Sequence, residues 1–150
     1  MAALEVGAFA PSFELHDENG QAVSLADYKG KPVVLIFYPM DQTPGCTKQL
    51  CSARDDKAVY EESGIAIFGV NGGSEESHQK FIAKHKLTMP LLVDKGLNVA
   101  SEYGAAMGFG PLKVINRTVV GVDPSGKIAY YQRGMPSTSE IIAAMQPTAK

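Results

Sequence analysis

The segment Phe37-Tyr-Pro-Met-Asp-Gln-Thr-Pro-Gly-Cys46 ends in a cysteine that directly follows a Thr-Pro-Gly turn, and Cys51 stands five residues further on. If the turn opens a helix, Cys46 falls in its first turn. There the unpaired N–H groups and the positive end of the helix dipole favour thiolate over thiol, and the thiolate is the reactive form. Pro39 and Pro44 restrict φ and stiffen the approach, while Gly45 lets a small substrate come close to the backbone. The Thr43 hydroxyl both donates and accepts, so it can hold a peroxide oxygen beside the sulfur. For cleavage of an O–O bond, that orientation is a large part of the work. Taken singly, these residues also fit a small buried cysteine after an ordinary turn; Pro-x-x-x-Thr-x-x-Cys at the end of an apolar strand is far rarer than its parts.

The flanking pattern supplies such a strand and helix. Val33-Val-Leu-Ile-Phe-Tyr38 is a continuous β-branched and aromatic run, as expected of a strand buried on both faces. Residues 43–63 are mostly helix formers, with Gly64 as a stop, and predict one helix after the strand. Phe13 to Leu25 alternates about Asp17-Glu-Asn-Gly20 and predicts an N-terminal β-hairpin. Ile65 to Val70 reads as a second buried strand, and Ser74-Glu-Glu-Ser77 opens a helix bearing Phe81 and Ile82. Leu91 to Val93 predicts a short strand and Leu97 to Ala105 a short helix, followed by a glycine-rich loop containing Gly104, Gly108 and Gly110. Arg117 to Asp123 and Lys127 to Arg133 read as paired strands about Pro124-Ser-Gly126, with a last helix over Ser137 to Met145. The order predicts an α/β protein with a thioredoxin-like fold: a mixed central sheet flanked by helices, preceded by the hairpin. In such sheets the working site lies where a strand ends and the next helix begins, here Pro39 to Cys46.

Composition narrows the function. The 150 residues, 45% of them hydrophobic, suit a single domain with one core. A formal charge of −2 and the lack of a long Lys/Arg cluster argue against a nucleic-acid partner. The longest apolar run is far short of the roughly 20 residues that span a bilayer, so no membrane partner is expected. MAALEVGAFA has no basic start followed by an apolar block and does not read as a secretory signal. A cytoplasmic, reducing setting is expected, with an organellar transit segment left open. Two cysteines make no disulfide framework, and with scattered His16, His78 and His85 they show no zinc-type spacing, so no metal is expected.

Pro39-Met-Asp-Gln-Thr43-Pro-Gly-Cys46 resembles the active-site motif of peroxiredoxins, and the CTKQLC spacing resembles the peroxiredoxin Q or bacterioferritin comigratory protein subfamily. The resemblance extends over nearly the whole chain, from Gly7-Ala-Phe-Ala-Pro-Ser-Phe-Glu-Leu15 to Arg117-Thr-Val-Val-Gly-Val-Asp123-Pro-Ser-Gly-Lys-Ile128. It implies a peroxidatic Cys46, a resolving Cys51, and a pocket for hydrogen peroxide or an organic hydroperoxide completed by Pro39, Thr43, Gly45 and Arg117. A guanidinium near the sulfur would also hold the thiolate and polarise the peroxide. The resemblance further implies reduction by thioredoxin, or glutaredoxin, and a monomer; sulfur chemistry needs no cofactor. Two positions depart from the subfamily pattern: Gln49 stands where Glu is more usual, which leaves the partner of Arg117 neutral, and Val119 stands where Phe is more usual.

Cys51 makes a structural demand. On a regular helix, residues five apart are about 8–9 Å from Cα to Cα, whereas a disulfide needs less than about 7 Å. The helix is expected to unwind when the two sulfurs join. His16, His78 and His85 read as solvated surface, and Tyr38 as core or a wall of the pocket. Two other functions share this fold. A thioredoxin-like disulfide reductase would use Cys-x-x-Cys, and here four residues intervene; a noncatalytic binding module would leave the Thr43, Cys46 and Arg117 set without a purpose.

Overall fold

The computed structural model describes residues 4–146, with the backbone alone for Cys46. The expected hairpin is present as β1 (Glu14–His16) and β2 (Ala22–Ser24). The Asp17 carboxylate accepts the N–H groups of Asn19 and Gln21 and closes the turn. The apolar run forms β3 (Val33–Phe37), every residue of which is buried.

The predicted single helix is instead two: α1 (Pro44–Asp55) and α2 (Lys57–Glu62), separated at Asp56, where φ is −98° and ψ 18°. Adjacent acids at Asp55 and Asp56 oppose the negative end of a helix and suit the start of the next. Then follow β4 (Ala66–Asn71), α3 (Glu75–His85), β5 (Leu91–Val93) and α4 (Asn98–Glu102). Ser74 caps α3 by accepting the N–H of Ser77.

The glycine-rich stretch is not simply a loop. β6 (Ala106–Met107) and β7 (Val114–Ile115) pair antiparallel across a 3-10 turn at Gly110–Leu112. Two-residue strands are too short to show alternation in sequence. The bend needs a glycine at 108, where φ is 91° and a Cβ would lie 2.7 Å from the Leu112 carbonyl oxygen. The chain ends with β8 (Thr118–Val122), β9 (Ile128–Arg133) and α5 (Thr138–Met145).

Seven strands form one mixed sheet in the order β2-β1-β5-β4-β3-β8-β9. β3 is parallel to β4 and antiparallel to β8, and the hairpin joins β5 at one side. Alternation along β3 divides the core. Val33, Leu35 and Phe37 pack with Val99, Ala100 and Tyr103 of the α4 side. Val34, Ile36 and Tyr38 pack with Leu50, Ala53, Phe81, Ile141 and Met145 from α1, α3 and α5. Helices therefore cover both faces, as the order of elements predicts.

Tyr38, the last buried residue before the site, lies over Gly69 of β4. A Cβ at Gly69 would be 2.7 Å from Leu91 Cδ2 and 3.1 Å from Tyr38 Cε1, inside van der Waals contact. Gly69→Val is expected to overpack this layer and cost about 1–3 kcal/mol, read as a lower urea midpoint at unchanged slope.

Candidate active site

The register of the sheet places the site. Phe37 faces Thr118 across the β3–β8 ladder, so Arg117 stands just beyond the end of β3, beside the start of α1. Its backbone is fixed by the Gly134 N–H, which donates to the Arg117 carbonyl at 2.9 Å. The half-buried guanidinium reaches the first turn of α1, where a Cβ built on Gly45 would be 3.2 Å from Arg117 Nη2. A side chain at 45 would crowd it, so glycine leaves that approach free. One helical turn on, Gln49 Oε1 accepts from Arg117 Nη1 at 2.8 Å, and Gln49 Nε2 donates to the Gly134 carbonyl at 3.5 Å. The acceptor is a neutral amide, so it places no negative charge beside the guanidinium where that group faces the helix start.

Thr43 occupies the N-cap position of α1 in an extended conformation, followed by Pro44 inside the first turn. Its hydroxyl donates to the Met40 carbonyl at 3.2 Å rather than capping a helix N–H. The oxygen lone pairs remain available to an incoming donor. Pro39 is exposed and lines an open cleft together with Met40, Gly72, Leu97 and Pro111. Thr43 and Gly45 thus stand at the start of α1 with Arg117 against Gly45, while Pro39 lies just past the end of β3 on the neighbouring cleft. The backbone places Cys46 in that first turn, while its side chain lies outside the described residues. Cys51 is a free thiol, half-buried against the apolar layer of α1, α3 and α5. Helix α1 runs unbroken through both cysteine positions.

One expectation is overturned. His78 is fully buried, not on the solvated surface. Its Nδ1 is 2.7 Å from Asp41 Oδ2, and its Nε2 is 3.1 Å from the Leu92 carbonyl oxygen. The exposed reading rested on the polar run EESHQKFIAKHK, but His78 lies three residues before Phe81 and so shares the buried face of α3. That spacing was the signal for it. His16 is exposed as expected, and His85 is half-buried with its ring edge-on to Phe81.

Asp41 was not singled out by its sequence. Its side chain is 4% exposed and accepts from Tyr38 Oη and Ser77 Oγ, both at 2.6 Å, and from Asn71 Nδ2 at 3.5 Å. Burial alone would push its pKa up, but the hydrogen bonds from His78, Ser77 and Tyr38 outweigh it and hold the carboxyl below its ordinary range. Arg133, also unforeseen, sits opposite Thr118 and donates to the Thr118 hydroxyl at 2.8 Å, one strand behind Arg117.

Residues 6–131 match the AhpC/TSA family. Peroxiredoxin Q, chloroplastic, of Oryza sativa subsp. japonica is 42% identical over 125 residues, which are 83% of this chain and 57% of that protein. This chain therefore spans little more than half the length of such chloroplastic relatives. Putative peroxiredoxin bcp of Coxiella burnetii (strain RSA 493 / Nine Mile phase I) is 40% identical over 131 residues, 85% of this chain and 87% of that protein. The crystal structure of peroxidoxin BcpB from Mycobacterium tuberculosis shares the fold with a TM-score of 0.88 at 29% identity, over 94% of this chain and 96% of that one. The expected thioredoxin-like fold is therefore present, and the chain belongs to the AhpC/TSA family, in the peroxiredoxin Q and bcp group.

Proposed function

We propose that this chain is a thiol peroxidase that reduces hydrogen peroxide and organic hydroperoxides, with Cys46 as nucleophile and Cys51 as the resolving thiol. The observation that carries the reading is the Arg117 guanidinium lying against the first turn of α1 at Gly45. The helix start and this cation together stabilise a thiolate at position 46. The thiolate attacks the terminal oxygen of ROOH; the S–O bond forms as the O–O bond breaks, and the leaving alkoxide takes a proton to become ROH. Arg117 stabilises the charge that develops on the departing oxygen. Thr43 orients the peroxide, Gly45 leaves room for it, and Pro39 and Pro44 stiffen the approach.

The Cys46 sulfenic acid is then attacked by the Cys51 thiol, which releases water and leaves an intrachain disulfide. Since α1 runs unbroken through both positions, closure requires its first turns to unwind. A dithiol protein of the thioredoxin type, or glutaredoxin, supplies two electrons to reopen the bridge, so the cycle belongs in a reducing compartment. All the groups named come from one chain, in keeping with one domain acting as a monomer.

Mixing reduced protein with hydrogen peroxide in a stopped-flow instrument is expected to give a fast loss of thiol that disappears in Cys46→Ser; equal slow rates in both proteins would refute the reading. Arg117→Gln should slow the fast phase on the order of a hundredfold, the usual loss for one charge-stabilising donor. Cys51→Ser should keep the first turnover, lose recycling by a dithiol and overoxidise under excess peroxide. Unchanged steady-state turnover would remove Cys51 from the cycle. Amide hydrogen exchange at residues 47–51 should be faster in the oxidised protein than in the reduced one.

A further inference from the structure

The chemistry proposed for the thiol leaves one buried ionisable pair unexplained, Asp41 with His78. Both ring nitrogens of His78 face acceptors: Asp41 Oδ2 at 2.7 Å and the Leu92 carbonyl oxygen at 3.1 Å. A neutral imidazole has one N–H and would turn a lone pair toward the other oxygen. Asp41 offers no proton in this arrangement, because its two oxygens accept from Tyr38, Ser77 and Asn71. The groups around the ring are therefore the Asp41 carboxylate from the loop, with Tyr38 from the end of β3 and Ser77 of α3 on that same carboxylate, and the Leu92 carbonyl of β5. Among the described residues, His78 is the basic side chain within ion-pair distance of Asp41.

The pair sits where the loop into α1 is least relaxed. Gln42, next to Asp41, has φ 62°, in the left-handed region that residues other than glycine hold only when their surroundings impose it. Thr43 then returns to extended backbone, and Pro44 begins the helix. A buried ion pair is a poor means of gaining stability, since well-packed apolar groups often serve as well. It is a good means of fixing one geometry when three elements converge on it.

We infer that His78, protonated on both ring nitrogens, is a positioning residue for the Cys46 thiol, its ion pair with Asp41 fixing residues 39–43 and so the first turn of α1. The role rests on the peroxidase reading above; the protonation state of the pair does not.

Long-range 1H–15N correlation on the reduced wild-type protein at neutral pH is expected to show both His78 ring nitrogens at the shifts of protonated imidazolium. One nitrogen at the shift of an unprotonated ring would overturn the ion pair, and this spectrum decides the matter even if variants fold poorly. His78→Asn and Asp41→Asn should each slow thiol loss to peroxide on the order of tenfold to a hundredfold, the cost of misplacing a reacting atom. The double variant should be no slower than the worse single one, because both changes break one unit. A lowered Tm with the peroxide rate unchanged well below it, or losses that multiply in the double variant, would overturn the positioning role while leaving the peroxidase reading intact. Wild-type protein without a fast phase would overturn both the peroxidase reading and the positioning role, and the nitrogen shifts would still report the pair.

Discussion

A strand buried on both faces and paired on both edges cannot slip, because a shift of one residue would exchange every side chain between two apolar layers. β3 is such a strand, bounded by β4 on one edge and β8 on the other. Its end is therefore a fixed point in the molecule. From it, β8 carries Arg117 to one side of the emerging loop and β4 carries Asn71 to the other. α1 begins between them, with its positive end turned toward the same place.

Two polar attachments hold that beginning, and they differ in kind. Downstream of the cysteine position, the hold on Arg117 is an amide, Gln49, whose hydrogen bonds are directional and carry no net charge. Upstream, the hold on Asp41 is ionic and largely buried, with donors from the end of β3, the end of β4 and α3 arranged around one carboxylate. The first leaves the cationic field of Arg117 uncancelled where an anionic sulfur is favoured. The second neutralises its charges internally and so adds little field of its own at the site.

Much of this was legible in the amino-acid sequence. Val33 to Tyr38 declares a buried strand because nothing polar interrupts it, and Thr-Pro-Gly-Cys declares a helix start because its backbone preferences agree. The Ser74 and Ser137 caps were equally local signals. What could not be read depends on contacts distant in the chain. His78 belongs to a helix whose polarity suggests solvent; its spacing from Phe81 marks the face it shares, but the Asp41 and Leu92 oxygens that partner it there are distant in the chain. Asp41 reads as a turn residue until Ser77 and His78, more than thirty positions later, are brought against it. The bend at Asp56 and the two-residue strands β6 and β7 fell below the length at which periodicity is informative.

The bend at Asp56 also divides the helical segment mechanically. Beyond it, Tyr60 of α2 is 2% exposed and packed into the same layer as Leu50 and Phe81. Helix formation is cooperative along a continuous hydrogen-bonded run and weakens where the run is interrupted. The interruption makes α1 a separate cooperative unit of three turns, fastened by Leu50 and Ala53 on its inner side. Its leading turns can melt and reform as a small local transition, while α2 and the layer beneath it stay in register with the sheet. A molecule built this way can alternate between two local structures many times without approaching global unfolding.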